Sequence, residues 1–202
     1  MTASPHYEIR PDDALVVVDV QHDFLPGGAL GVAEGERIFG PIDELAPRFS
    51  RVYATRDWHP ENHSSYAQYG GPWPVHCVAG THGAAFDARL NLDNVDVVID
   101  KGTDRETDGY SGFAATALEG DLRAHGVRRV FVCGLATDYC VKATALDAKA
   151  AGFDVVVIED AAAAVNVEPG DEERALGALR AAGVAVAHSA DVSGGTAAAV
   201  RR

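Results

Sequence analysis

The segment "ATRDWHPENHSSY", residues 54–66, places an aspartate and two histidines just past the apolar run "VYAT", and "WPVHCVAGTHG" further on adds His76 and His82. Asp57 and His59 are separated by one residue. In an extended segment such positions face the same side, so both side chains can reach one point. Carboxylate plus imidazole suits a divalent ion such as Zn, Fe or Mn, and spacing alone does not choose among them. A single histidine is more often a packing or surface residue. Several beside an aspartate in one loop favour a metal, with His63 and His76 as further candidates.

A second set can do nucleophilic chemistry. In "GLATDYCVKATALDAKAAG", residues 134–152, a turn leads into a helix that Thr137 or Asp138 can cap. Cys140 then lies in the first turn, where the helix dipole favours a thiolate and free backbone N–H groups can hold an oxyanion. A lone cysteine otherwise packs as a small hydrophobe. That is the better reading of Cys133, inside "VFVCG", and Cys77 is a weaker nucleophile candidate than Cys140. Asp19 closes the apolar run "LVVVD", and a carboxylate buried there needs a partner or a raised pKa. Lys101, in "VIDKGT", is a candidate partner, although a lysine after a strand is usually solvated. Together Asp19, Lys101 and Cys140 make a base, a cation and a nucleophile.

The elements that must position these groups are legible. Short β-branched runs recur at 14–20, 51–55, 95–100, 128–134, 153–159 and 183–188. Most are continuously apolar, as in strands buried on both faces of a parallel sheet. Ala-rich stretches at about 35–49, 113–125, 138–151 and 171–182 read as helices, several ending in Gly. Strand–helix alternation predicts a doubly wound α/β fold over one domain, 1–202. The Gly-, Pro- and His-rich stretch 56–94 reads as a long ordered loop, and the tail "SGGTAAAVRR" as a frayed end. Ligands bind beyond the carboxyl ends of parallel strands. Asp19, Asp57 with His59, Lys101, and Gly134 to Cys140 each follow a different run, so four strands deliver reactive groups to one edge.

Composition narrows the partners. A net charge of −13 disfavours nucleic acid and anionic membranes. The three cysteines do not form a disulfide framework. The N-terminal segment lacks the apolar core of a signal peptide, and no run approaches the length of a membrane span. A soluble, cytoplasmic protein with a small-molecule partner is expected, with a homo-oligomer left open.

Taken together, "VVVDVQHDFLPGGALGV", "ATRDWHPENHSSY", "WPVHCVAGTHGAAF", "DKGTDRETDGYSGF" and "VCGLATDYCVKATALDA" resemble the nicotinamidase/pyrazinamidase branch of the isochorismatase-like cysteine hydrolases across nearly the whole chain. The resemblance implies a mostly parallel six-stranded sheet with helices on both faces. It implies a triad of Asp19, Lys101 and Cys140, and metal ligands Asp57, His59 and His76. His63 matches a position that is a fourth ligand in some members and a near neighbour in others. It also implies a cis peptide between Leu135 and Ala136, an oxyanion hole from the N–H groups of Ala136 and Cys140, and pocket walls from Phe24, Trp73 and Tyr110. The substrate would be a small aromatic amide, nicotinamide and pyrazinamide above all, cleaved through a cysteine thioester with a divalent ion, zinc first and iron or manganese next. The role would be recycling of NAD breakdown products. The polar run "DRETD" departs from the pattern at the pocket rim, and His82 has no assigned role. The rivals are another superfamily hydrolase acting on a different small amide or vinyl ether, disfavoured by the Asp-x-His loop, and a non-catalytic binding module, disfavoured by the complete triad.

Overall fold

The computed structural model describes residues 5–195. Its centre is a parallel sheet of six strands: β2 (Asp13–Val18), β3 (Val52–Asp57), β4 (Val97–Lys101), β5 (Arg129–Leu135), β6 (Asp154–Ala163) and β7 (Ala185–Ala187). The spatial order is β4-β3-β2-β5-β6-β7. Two further short strands, β1 (Tyr7–Ile9) and β8 (Val192–Gly194), pair parallel in a separate ribbon that has no counterpart among the expected runs. At three residues each, they carry too little periodicity to be read from sequence. The tail expected to fray, 193–202, starts inside this ribbon, where Ser193 and Gly194 pair with Glu8 and Ile9, and its residues 196–202 lie outside the described residues.

Every residue of β2 is buried, and its side chains split by parity. Leu15 and Val17 pack with Ile42, Leu45 and Phe49, from α1 (Phe39–Leu45) and the turn after it. Ala14, Val16 and Val18 pack with Leu118, Leu122, Ala145, Leu176 and Leu179. These come from α2 (Leu118–Ala124), α3 (Lys142–Ala150) and α4 (Asp171–Ala181). Strand alternation thus feeds two cores, one on each face, and each fully buried Leu or Val stabilises by about 2 kcal/mol.

The expected helix at 113–125 begins only at Leu118. Before it, Ser111 Oγ accepts from Phe113 N at 3.1 Å and Thr116 Oγ1 accepts from Leu118 N at 3.2 Å, so hydroxyls take the amides that a helix would use. The stretch 56–94 is irregular, with single 3-10 turns at Ala67–Tyr69 and Leu92–Asn94.

The strand order reverses between β2 and β5: β3 and β4 continue on one side of β2, β6 and β7 on the other. A reversal opens a crevice at the carboxyl ends, and that crevice is where the candidate residues gather. Gly134 lets the two strands approach there. Its φ is +109°, and a Cβ at this position would sit 2.1 Å from the Val18 carbonyl oxygen.

Candidate active site

β2, β4 and β5 bring Asp19, Lys101 and Cys140 together. Asp19 leaves β2 with φ +50°, its N–H donating to Thr55 O at 3.1 Å. Thr55 Oγ1 donates to Asp19 Oδ1 at 2.7 Å. Asp19 Oδ2 faces Lys101 Nζ at 2.7 Å as an ion pair, without an aligned hydrogen bond. Lys101 Nζ lies 3.6 Å from Cys140 Sγ and also contacts Asp57 Oδ1 and the Gly109 carbonyl. All of these side chains are buried. Asp57 is the register partner of Lys101, so the β3–β4 pairing itself sets one carboxylate against the ammonium.

Burial shapes the protonation states. Burial raises the Asp19 pKa to about 6 against the pull of Lys101, and the neighbouring Asp57 pushes it the same way. Asp57 also feels burial, but Lys101 and His59 outweigh it and hold its carboxyl below the usual range. Lys101, desolvated yet facing two carboxylates, keeps its proton well beyond neutral pH. Burial pushes the Cys140 thiol well up, with Lys101 opposing and Asp19 and Asp57 adding to it. Burial therefore works against the helix-terminus preference for a thiolate, and a base beside the sulfur favours the attack. Thr137 and Asp138 do not cap the helix. Thr137–Val141 forms a wide turn in which Val141 N reaches Ala136 O at 3.1 Å, with no side-chain cap.

Asp57, His59 and His76 each offer a ligand atom, and these atoms lie within 4.8 Å of one another in a buried pocket. His59 Nδ1 lies 2.8 Å from Gly102 O, and His76 Nδ1 lies 2.8 Å from Pro74 O. A carbonyl only accepts, so each Nδ1 carries a hydrogen and Nε2 is the atom left to ligate. Burial lowers the His76 pKa, favouring the neutral ligand form. A carboxylate and two imidazoles whose Nδ1 atoms face carbonyls fit a divalent ion. Gly102, at φ +60°, is required beside them, because a Cβ there would fall 2.4 Å from His59 Cε1.

His63 lies beside the cluster rather than in it. Its Nε2 bonds Thr107 O at 2.7 Å and its Nδ1 bonds Ser65 Oγ at 2.7 Å, so both nitrogens are used. Its ring stacks on His59 at 3.9 Å. The polar run 104–108 thereby buttresses the metal loop: Thr107 through His63, and Arg105 O by accepting from Ser64 N at 2.9 Å.

Three residues that hold the metal loop have no counterpart among the sequence candidates. Gln21, fully buried, donates to Asp57 O and Ala84 O at 2.8 and 2.9 Å and accepts from Asp57 N at 2.8 Å. Asp23 Oδ2 accepts from Cys77 N at 2.7 Å, and Tyr66 Oη donates to His76 O at 2.8 Å. The available signal was "VQHDF": polar side chains directly after a buried strand need partners. Cys77 and Cys133 are buried thiols with raised pKa values, and neither lines the cavity. His82 stacks on His22 at 4.0 Å.

Above these groups opens a cavity of about 350 Å³. Phe24, Trp73 and Tyr110 line it, joined by Tyr139, which the sequence reading omits. Trp73 Nε1 donates to Tyr110 Oη at 2.9 Å, and the Trp73 and Tyr139 rings meet edge-on at 5.2 Å. Asp57, His76, Ala136 and Cys140 also line the cavity, while Val165 and Val167 form part of its wall. The Leu135–Ala136 peptide is cis. The aromatic cage, the Cys140 thiol, and Asp57 and His76 of the metal-competent cluster thus face one space.

Residues 13–191 match the isochorismatase domain model. The nicotinamidase of Acinetobacter baylyi is 39% identical over 193 residues, covering 85% of this chain and 90% of the relative. The structure of PnC1 from L. infantum in complex with nicotinate superposes with a TM-score of 0.89 at 41% identity, covering 93% of this chain and 98% of that one. The pyrazinamidase of Pyrococcus horikoshii in complex with zinc gives 0.82 at 47% identity, covering 88% and 99%.

Proposed function

This chain belongs to the isochorismatase-domain family, in its nicotinamidase/pyrazinamidase branch, and we propose that it hydrolyses nicotinamide, and pyrazinamide, to the acid and ammonia through a thioester on Cys140. As a nicotinamidase-type enzyme it acts on a carbon–nitrogen bond other than a peptide bond. The observation that carries the reading is the single cavity in which Cys140 and the Asp57–His76 wall lie under the Phe24–Trp73–Tyr110 cage. A pyridine or pyrazine amide fits such a site: the rings hold its faces, and the cluster offers a place for its ring nitrogen.

Asp57, His59 and His76 would hold the divalent ion, zinc by preference given two imidazoles and a carboxylate. When bound, the ion supplies Lewis acidity that orients and polarises the heteroaromatic ring. The chain's own residues carry the bond changes. Asp19 removes the Cys140 proton as sulfur attacks the amide carbon, and Lys101, facing both groups, stabilises the negative charge as it passes from the Asp19 carboxylate to sulfur. The N–H groups of Ala136 and Cys140 receive the oxyanion. Asp19 then passes the proton to the departing nitrogen, and ammonia leaves. Asp19 next takes a proton from water, whose oxygen attacks the thioester carbon. The carbon–sulfur bond breaks, and the proton returns to sulfur as the acid is released.

Such an activity would recycle a pyridine carboxamide released in NAD breakdown. No helix among the described residues is long and apolar enough to cross a membrane. The metal cluster weighs against a relative acting on a metal-independent amide or vinyl ether. The test is ammonia release from nicotinamide by purified protein, before and after chelation and with zinc, iron or manganese restored. Release that falls with chelation and returns with metal supports the reading. No release under any metal condition would overturn it.

A further inference from the structure

Asp138 is buried two residues before the nucleophile, yet it neither caps the following helix nor lines the cavity. Its carboxylate crosses to the segment after β6. Oδ1 accepts from Val165 N at 3.0 Å and Oδ2 from Asn166 N at 2.9 Å. Both oxygens are thus spent on consecutive amides of the segment that contributes Val165 and Val167 to the pocket wall. Asn166 there has φ +52°, a conformation in which successive amides can converge on one anion. Asn166, Val167, Glu168 and Pro169 are exposed, and the segment's other ties run to the start of α4: Asn166 Oδ1 accepts from Glu172 N at 3.0 Å and Glu168 N donates to Asp171 Oδ2 at 2.8 Å. A second tie runs the other way, Thr137 Oγ1 reaching Glu172 Oε1 at 3.4 Å while Arg37 Nη2 pairs with the same oxygen at 2.9 Å. Both residues at the start of the nucleophile turn therefore face away from the chemistry and grip the 165–172 segment.

We propose that Asp138 is a positioning residue that fixes the Val165–Val167 wall against the nucleophile turn and so sets how tightly the aromatic ring of the substrate is held. The proposal rests on the hydrolysis proposed above, which it deepens. The ties to α4 hold the segment to that helix, whereas the pair of hydrogen bonds from Asp138 holds the backbone beside Val165 and Val167 to the nucleophile turn and so orders the wall before substrate arrives. The Asp138 oxygens bond Val165 N and Asn166 N rather than Cys140, Asp19 or Lys101.

The experiment compares the metal-loaded parent with D138A, D138N and V167A. D138A is expected to raise KM for nicotinamide about tenfold while kcat stays within about threefold, the signature of lost ground-state binding. D138N keeps one acceptor oxygen and falls between. V167A raises KM in the parent and adds little in the D138A background, because the wall is already displaced. Hydrogen exchange gives a readout independent of activity: the Val165 and Asn166 amides exchange at least about tenfold faster in D138A, with the Val141 amide unchanged. Unchanged exchange at Val165 and Asn166, a fall in kcat with KM intact, or additive effects of D138A and V167A would each overturn the proposal. If D138A does not fold, D138N and V167A carry the same comparison. A parent that releases no ammonia overturns the hydrolytic reading, while the exchange result still decides whether Asp138 clamps the wall.

Discussion

The two halves of the site are held in place by different physics. Asp19 and Lys101 sit at the ends of β2 and β4, where the sheet's backbone ladder fixes their spacing, and Cys140 sits in the Thr137–Val141 turn that directly follows β5. His59 and His76 sit in an irregular loop, where side chains from elsewhere fix the backbone: Gln21 at Asp57, Asp23 at Cys77, Tyr66 at the His76 carbonyl. Strand-borne chemistry is built into the fold. Loop-borne metal ligation depends on a handful of buried hydrogen bonds and so can be lost while the sheet stands.

Perturbations should divide along this line. The largest effect belongs to the strand end: C140A should lower kcat for nicotinamide by about four orders of magnitude or more, measured as ammonia release, with metal content and melting behaviour like the parent's. Next is the loop as a whole. Chelation should lower kcat/KM by about a hundredfold, restored on metal addition, without altering the far-ultraviolet circular dichroism that reports the sheet. Gln21→Ala attacks the same loop from beneath. It should weaken metal affinity by about 10- to 100-fold in a competition titration, and excess metal should recover most of the activity, which it cannot do for C140A.

The smallest effect sharpens the strand side. Asp19 must be ionised to accept the thiol proton, and its pKa is raised to about 6. Lowering the pH through that value protonates it, so kcat/KM should fall about tenfold per pH unit below about 6 and level off above. A profile flat down to pH 4.5 would remove Asp19 from the base role.

Legibility in the sequence follows the same division. The six core runs, and the placement of Asp19, Asp57, Lys101 and Cys140 at their ends, were readable because parallel strands leave continuous apolar signatures and ligands lie beyond their carboxyl ends. The ribbon of β1 and β8 was not, because three-residue strands leave no period. The start of α2 was misplaced because Ser111 and Thr116 claim backbone amides that propensity alone assigns to a helix. The Asp57–His59 pairing follows from strand periodicity. The burial of Gln21 and the diversion of His63 to Thr107 and Ser65 do not, since both depend on segments distant in the chain. Asp138 is the clearest case. Its sequence position reads as a helix cap, and only the return of the chain after β6 gives its carboxylate two other amides to hold.

The most direct test of the central claim, that the strand-end thiol carries the acyl group, is a rapid acid quench of enzyme mixed with nicotinamide, followed by peptide mass analysis over the full time course. The account predicts a nicotinoyl group on the peptide containing Cys140, appearing before nicotinate and missing from C140A. A nicotinoyl group on any other residue, or none at any quench time while nicotinate accumulates, would contradict it.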